Sequence, residues 1–228
     1  MRSLRLFFIA ALLAALAGCA SVAPGVPASV ASAPQDRTGW VFGSLGTAGS
    51  SPITSHGFFY RAKGASDAAI VSWRYDGRSG FASPLGLGKV FSDKPDFREG
   101  IEAGIAFAYR LPAGEYELYD VRFHMDQATY NAKEKFSVPF RVEAGSATYL
   151  GEFIARDARA RNFFGMPIKV PGYYAIRQRV ERDLDVLAAR GIDLPRDRII
   201  DASAGVLGTG LPFFQENRMP AARQASPQ

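Results

Sequence analysis

The segment IAFAYRL at residues 105–111 decides the fold, because its large side chains fall on every second position. Successive side chains of a β-strand point to opposite faces, so this alternation is typical of a strand with one face in a hydrophobic core. The same period of two recurs at 71–75 and 136–142. These segments predict a protein built mainly of β-strands.

Short strands and tight turns account for most of the chain between residues 38 and 202. Further strands are predicted at 40–45, 58–62, 86–91, 115–123, 147–154 and 163–170. The turn sequences LPAG at 111–114 and EAGS at 143–146 each join two strands closely. Pro139 cannot donate to a strand ladder, so its strand is predicted to lie at a sheet edge or a bulge. The pattern predicts an antiparallel β-sandwich.

One amphipathic helix is predicted at about 174–190. Its apolar stripe consists of Ile176, Val180, Leu184 and Leu187, at helical spacing. Its opposite face carries the charged residues Arg177, Arg179, Glu181, Arg182 and Asp185. Gly191 follows where a left-handed residue commonly ends a helix. We interpret this helix as a cover over one end or face of a sheet.

The N-terminus has the organisation of an export signal. Two arginines and no acidic residue precede an unbroken apolar run of 13 residues, at 6–18. This length matches the core of a signal peptide and is shorter than the ~20 residues needed to span a bilayer. The run ends in Leu16-Ala17-Gly18-Cys19, which resembles the lipobox of bacterial lipoproteins.

The lipobox resemblance implies a membrane anchor. It implies that residues 1–18 are removed, that the Cys19 thiol receives diacylglycerol, and that the new amino group is acylated. Ala20 and Ser21 follow the cysteine, and the absence of aspartate there favours sorting to the outer membrane in that family. The implied product is an outer-membrane lipoprotein whose domain faces the periplasm. Its partner in the membrane is lipid, through acylated Cys19.

Composition divides the remainder into a tether, a domain and a tail. Residues 19–37 are rich in Ala, Ser, Val and Pro, which predicts a lipidated cysteine followed by a flexible tether. A domain is expected at 38–202 and a mostly disordered tail at 203–228. The chain has 27 Lys and Arg against 22 Asp and Glu, and the leader contains two of the arginines, so the mature net charge is near +3. This modest charge is no signature of nucleic-acid binding.

A second resemblance concerns the sandwich itself. The segment LPAGEYEL at 111–118 resembles a recurrent strand entry in transthyretin-like and carboxypeptidase-regulatory-like domains. The segment FRVEAGSATYL at 140–150 is similar to the closing hairpin of such domains. The resemblance implies an immunoglobulin/transthyretin-like β-sandwich, and it implies no active site.

Residues suited to catalysis are scarce. The chain has two histidines, His56 and His124, in different segments, and one cysteine. Asp120, His124 and Asp126 form the most suggestive polar group, a candidate metal site that lacks further oxygen ligands nearby. The alternative interpretation is a solvated strand face. We predict no catalytic residue and no cofactor.

Consecutive aromatic residues are more promising as binding features. They occur at 58–60, 163–164 and 173–174, where a strand exposed on one face should bury one ring and expose its neighbour. Exposed rings can stack on sugars or anchor a protein interface. The candidate partner-binding residues are Phe58, Tyr60, Tyr173 and Tyr174. The alternative is that the helix, loops or tail cover both rings.

Between two predicted strands, a basic stretch contains Arg156, Arg159 and Arg161. It is either a solvated loop or a contact for phosphate or an acidic partner. Together these features predict a non-enzymatic envelope lipoprotein that binds an envelope protein or a glycan, or assists assembly. The alternative is an envelope hydrolase acting on peptidoglycan, lipid or glycan.

Overall fold

The computed structural model describes residues 35–49, 51–66, 68–74, 95–125 and 127–216. Several predicted features lie outside these ranges and stay predictions: the signal peptide, Cys19, most of the tether, the strand at 86–91, Asp126 and the tail from 217 onward. No helix in the described ranges is long and apolar enough to cross a bilayer.

The described ranges contain fourteen strands and two α-helices. The strands are β1 (Thr38–Ala48), β2 (Ile53–Ala62), β3 (Ala69–Arg74), β4 (Phe97–Glu99), β5 (Glu102–Pro112), β6 (Gly114–Met125), β7 (Ala128–Asn131), β8 (Val138–Val142), β9 (Ala147–Arg156), β10 (Arg159–Arg161), β11 (Pro167–Lys169), β12 (Tyr173–Arg177), β13 (Ile199–Asp201) and β14 (Phe214–Glu216). The helices are α1 (Val180–Ala189) and α2 (Ser203–Leu207). Short 3₁₀ turns occur at Gln35–Arg37 and Arg196–Arg198.

Two sheets pack face to face, which confirms the predicted mainly β sandwich. Sheet A has the order β14-β12-β9-β1-β5-β4, and β13 pairs with the first residues of β9. Sheet A is mixed rather than wholly antiparallel, because β1 runs parallel to β9 and β12 runs parallel to β14. These parallel strands are far apart in sequence. Turn sequences predict only pairs of neighbouring strands, so they could not predict this pairing.

Sheet B is antiparallel, with the order β3-β2-β6-β7, and β8 pairs with the first half of β6. Pro139 lies in β8 opposite Glu117, and among the described strands β8 pairs with β6 alone. The predicted edge position of the proline-containing strand is therefore confirmed.

Sheet A is buried on both faces because a second layer covers its outer side. Its inner face contributes Leu150, Phe153 and Tyr174 to the core shared with sheet B. On its outer face, Phe42 and Tyr149 pack against Leu184 and Leu187 of α1. Strands buried on both faces lose the simple alternation of apolar and polar residues.

A β-bulge in β9 sets which side chains reach the helix. The register with β1 shifts between Phe42 and Ser44, which pair with Tyr149 and Glu152. Two residues of β9 therefore oppose one of β1, and Gly151 supplies the φ of +116° within this bulge. As a result Tyr149 and Glu152, three positions apart, both point to the outer face.

The predicted helix at 174–190 is correct only in its second half. Residues Tyr173–Arg177 form strand β12, which pairs with β9, and α1 begins at Val180. Ile176 has the spacing of the predicted helical stripe only by coincidence. In the structure it belongs to β12 and lies in the core between the sheets. Strand pairing along the free edge of β9 overrides the local helical pattern.

The domain extends past the predicted boundary at residue 202. Helix α2 follows, and β14 pairs with β12, so that Phe214 is buried against Phe153 and Tyr174. Residues 203–216 therefore belong to the sandwich rather than to a disordered tail. The apolar area that Phe214 buries supplies the physical reason for this docking.

Residues 163–170 do not form the single strand that was predicted. Within the described ranges, β10 and β11 pair only with each other, and a tight turn at 162–166 joins them. Gly165 adopts a φ of +74° in that turn, which glycine tolerates without steric cost. The result is a small two-stranded ribbon, residues 159–169, separate from both sheets.

Candidate functional site

The candidate metal site at Asp120 and His124 is not assembled by the described residues. The Asp120 carboxylate accepts hydrogen bonds from the backbone N–H of Ala132 and from the side chains of Asn131 and Lys135. Burial would raise the pKa of Asp120, but the hydrogen bonds from Lys135 and Asn131 outweigh it and lower that pKa. Asp120 therefore holds the segment after β7 in place.

His124 has a different partner from Asp120. Its Nδ1 lies 3.0 Å from Oγ1 of Thr129 across the β6–β7 pair. Asp126 lies outside the described residues. Within the described part of the chain, no group of three His, Cys, Asp or Glu side chains could hold a metal ion.

Three of the four candidate partner-binding aromatics lie in the core. Phe58 and Tyr174 are fully buried, and Tyr60 is buried as well. Sheet A covers the ring of Phe58, which lies 4.7 Å from the ring of Phe153 between centroids. Tyr173 is half-buried and packs near Ile154. The packing of the two sheets therefore covers Phe58, Tyr60 and Tyr174, as the alternative interpretation expected, and leaves only Tyr173 partly exposed.

His56 is also a core residue. It is buried, its Nδ1 lies 3.1 Å from the Tyr174 hydroxyl, and its ring packs edge-on against Trp73. Burial lowers the pKa of His56 to about 3. The imidazole is therefore neutral near pH 7, and its packing is that of a structural side chain.

The densest polar cluster lies beneath α1 on the outer face of sheet A. This arginine–carboxylate cluster contains Glu99, Glu102, Glu152, Asp183, Arg156, Arg177, Arg179 and Arg182. Its four acids and four arginines balance in charge. Glu152 and Asp183 are fully buried, and a buried carboxylate without a partner would be strongly destabilising.

Arg182 is the centre of the cluster. Its Nη1 donates to Glu152 at 2.6 Å. Its Nη2 donates to Asp183 at 2.6 Å and to the hydroxyl of Ser44 at 2.8 Å. The guanidinium also stacks on the ring of Phe97, 3.8 Å from its centroid, a favourable cation–π geometry. One helix side chain thus connects α1 to β1, β4 and β9.

Ionisation in the cluster follows from burial. Burial raises the pKa of Asp183 to about 6, although Arg182 and the Ser44 hydroxyl favour the charged carboxylate. Burial and the neighbouring Asp183 also raise the pKa of Tyr149 above its usual value. The Tyr149 hydroxyl donates to Asp183 at 3.2 Å and accepts the Arg179 backbone N–H at 2.8 Å. The carboxylates of the cluster are all paired, although Nε of Arg156 and Nε of Arg179 are buried without a hydrogen-bond partner among the described residues. We assign the cluster a structural role.

Large exposed hydrophobic side chains concentrate at one end of the sandwich. Among the described residues they are Ile101, Phe163, Phe164, Met166 and Ile168, which we call the apolar end. Phe163 is 98 % exposed and Phe164 is 79 % exposed. Both rings of this aromatic pair are exposed, whereas alternation on a strand predicted only one. The turn at 162–166 points both rings outward.

Sheet register places the apolar end opposite the entry of the tether. Thr47 of β1 pairs with Ala155, just before the ribbon, and Ala48 pairs with Glu102, just after Ile101. Thr38 begins β1 at the other end, where residue 37 enters. Eleven strand residues separate the two ends, which corresponds to about 35 Å.

The tether end has a shallow feature of its own. An open depression of about 500 Å³ there is lined by residues that include Asp36, Trp40, Arg110 and Leu194. Arg110 stacks on the Trp40 ring at 4.7 Å, so these two side chains already use each other as partners. We therefore treat the apolar end as the candidate functional site.

The fold class is that of a mainly β protein with two packed sheets and a helical cover. No protein-family model matches the sequence, and no curated protein matches it. The sequence identified Phe163, Phe164 and the basic stretch beside them, but it did not single out Ile101, Met166 or Ile168. The sequence did contain a signal that sets this segment apart as a candidate surface: residues 158–170 contain three basic residues and no acidic one.

The arginine–carboxylate cluster predicts a large cost for removing its centre. We expect Arg182→Met to lower the free energy of unfolding by about 3–5 kcal/mol, because Asp183 loses its charged partner while it stays buried. Urea unfolding followed by tryptophan fluorescence measures the change. The matched control Arg196→Met removes only exposed pairs with Glu181 and Asp185 and should cost far less. Equal losses in the two variants would contradict a buried structural cluster.

His56 predicts a pH-dependent stability. Because its pKa falls from 6.5 in the unfolded chain to about 3 in the folded protein, only the unfolded chain gains this proton between these values. The wild type should lose about 1.4 kcal/mol of unfolding free energy per pH unit from this group as pH falls from 6.5 to 3. His56→Phe lacks this slope.

The measurement is the difference in unfolding free energy between the wild type and His56→Phe, followed from pH 7 downward. The difference should shift steadily against the wild type as the pH falls. Asp183 has a slope of opposite sign between about pH 4 and 6, because its folded pKa is raised, but both proteins share it and it cancels. Two parallel stability curves would show that His56 titrates normally.

Proposed function

We propose that this chain is a lipid-anchored protein of the bacterial outer membrane whose sandwich binds an envelope component through its apolar end. One observation supports the binding role above all: four large exposed hydrophobic side chains lie on a single ribbon, residues 159–169. Hydrophobic side chains scattered singly over a surface are ordinary, whereas a contiguous group marks an interaction site.

Support for the anchor comes from the N-terminal sequence alone. Leu16-Ala17-Gly18-Cys19 follows a short apolar run with a basic flank, which together match a lipoprotein signal. An acylated Cys19 would hold the protein at the membrane, since several chains on one residue bind far more firmly than one. The domain would then face the periplasm with its apolar end free to make contacts.

The proposed role is non-enzymatic because the polar side chains that were candidates for chemistry have structural partners. His56 is buried beside Tyr174, and Asp120 is held by Lys135 and backbone N–H groups. The buried acids of the arginine–carboxylate cluster are paired with arginines. No specific feature of the described residues favours the alternative, an envelope hydrolase.

The anchor is tested by metabolic labelling with radioactive palmitate. The wild type should incorporate label and yield a mature chain that begins at Cys19. Cys19→Ser should incorporate none, because it lacks the thiol that receives diacylglycerol. Recovery of a wild-type chain that retains residues 1–18 and a free thiol would contradict the anchor, whatever the outcome at the apolar end.

The binding surface is tested by photo-crosslinking in intact cells. A photoreactive benzoylphenylalanine at position 164 should give crosslinked products, because this side chain is exposed within the apolar end. The same residue at position 144 is the control, since Ala144 is exposed in the turn at the tether end. Mass spectrometry then assigns each product as protein, glycan or lipid. Equal yields from the two positions, or none from 164, would overturn the proposed surface.

A further inference from the structure

We propose that the ribbon at 159–169 inserts its tip into the interface of a bilayer that contains anionic phospholipid. This inference rests on the proposed function and names the envelope component that the apolar end contacts. It commits to lipid rather than protein for three reasons: the hydrogen bonding of the tip, its charge, and its small size.

The backbone of the tip is largely satisfied within the tip itself. Asn162 donates its N–H to the Met166 carbonyl, and the Gly165 N–H donates to the Asn162 carbonyl. The Asn162 side-chain oxygen accepts the N–H groups of Phe164 and Met166, each at 3.0 Å. Polar backbone groups need internal partners when they leave water for lipid. This turn therefore meets a condition for insertion that a solvated loop has no need to meet.

Arg161 completes the hydrogen bonding of the turn. Its Nη1 donates to the Gly165 carbonyl at 2.8 Å, which brings the guanidinium beside the tip. The side chain is exposed, so its remaining donors can face phosphate. Phe163 and Phe164 lie at the same turn, with ring centroids 5.6 Å apart. Apolar rings beside a cation are typical of segments that lie in a membrane interface.

The charge of the ribbon favours an anionic surface. Residues 158–170 contain Arg159, Arg161 and Lys169 and no Asp or Glu. Arg159 and Lys169 are register partners at the base of the ribbon, so these two residues lie behind the apolar tip, whereas Arg161 lies beside it. Basic residues near a bilayer are attracted to negatively charged lipid, and this attraction weakens with salt.

Size favours lipid over a folded protein partner. The ribbon has eleven residues, from Arg159 to Lys169, whereas a stable protein interface uses about 20–30 residues on each side. A narrow apolar tip needs a shaped protein pocket to be covered, but fluid acyl chains adapt to its shape. Ile101 lies at the same end and can join the contact as the tip enters.

The anchoring membrane is within reach of the ribbon. The 18 residues between Cys19 and Thr38 span at most about 65 Å when fully extended. The length of β1, about 35 Å, separates the tether end from the apolar end. A domain lying along the surface can therefore place its ribbon in the membrane that holds Cys19.

The test uses the full lipoprotein, purified from membranes and reconstituted into vesicles. Met166→Cys is labelled with the environment-sensitive fluorophore NBD, which leaves Phe163 and Phe164 intact. Cys19 is the only native cysteine, and acylation protects it, so the unmodified wild type should take no label. Ala144→Cys, labelled in the same way, reports the tether end as the matched control.

In vesicles of phosphatidylglycerol and phosphatidylethanolamine, the emission of the probe at 166 should shift to shorter wavelength. Nitroxide groups on shallow acyl carbons should quench it. The probe at 144 should show neither effect. Adding Phe163→Ser and Phe164→Ser to the Met166→Cys background should abolish the shift while the protein stays anchored. In phosphatidylcholine vesicles, or at high salt, the shift should be much smaller.

Three outcomes would overturn this inference. A water-like emission at 166 in both kinds of vesicle excludes insertion. An equal shift in phosphatidylcholine excludes the preference for anionic lipid, and survival of the shift without Phe163 and Phe164 excludes the tip as its cause. If insertion fails while position 164 still crosslinks to a protein in cells, the apolar end remains a binding surface and only the lipid inference falls. If both measurements fail, the proposed function falls as well.

Discussion

The attachment of α1 to sheet A depends on the buried contacts of Arg182 with Glu152 and Asp183. An uncompensated carboxylate could not stay fully buried, so the outer face of the sheet is covered only while the arginines accompany the acids. Leu184 and Leu187 bury additional apolar area between α1 and sheet A. The covering layer in turn buries β1 and β9 on both faces and makes them the centre of the molecule.

The β-bulge in β9 places Glu152 at the contact between α1 and sheet A. The bulge at Gly151 shifts the alternation of β9 by one residue, so that Glu152 faces the helix and Phe153 faces sheet B. Without the bulge these two side chains would exchange faces and bury a carboxylate among aromatic rings. Bulges re-aim side chains in this way wherever one strand must serve two layers.

Buried charges and exposed hydrophobic side chains lie in different parts of this domain. Two fully buried carboxylates, Glu152 and Asp183, lie beneath α1 with their arginine partners, whereas two phenylalanines are exposed on the ribbon. The internal charges stabilise the position of the helix without offering an open site. Within the described part of the chain no layer covers the exposed rings, and this contrast supports the proposed binding role of the ribbon.

Local sequence determined much of the architecture: the alternation at 105–111, the edge position of Pro139 and the amphipathic second half of the helix all reflect the backbone period of a single element. The proposed lipid anchor at Cys19 likewise rests on local sequence. Tertiary structure decided the rest. It made Tyr173–Arg177 a strand, buried Phe58 and Tyr174, gave Asp120 and His124 different partners, and exposed Phe163 and Phe164 together. The physical reason is that burial and strand pairing depend on which other part of the chain packs on a given face. The hydrophobic period of one segment indicates its own secondary structure but not what packs against it.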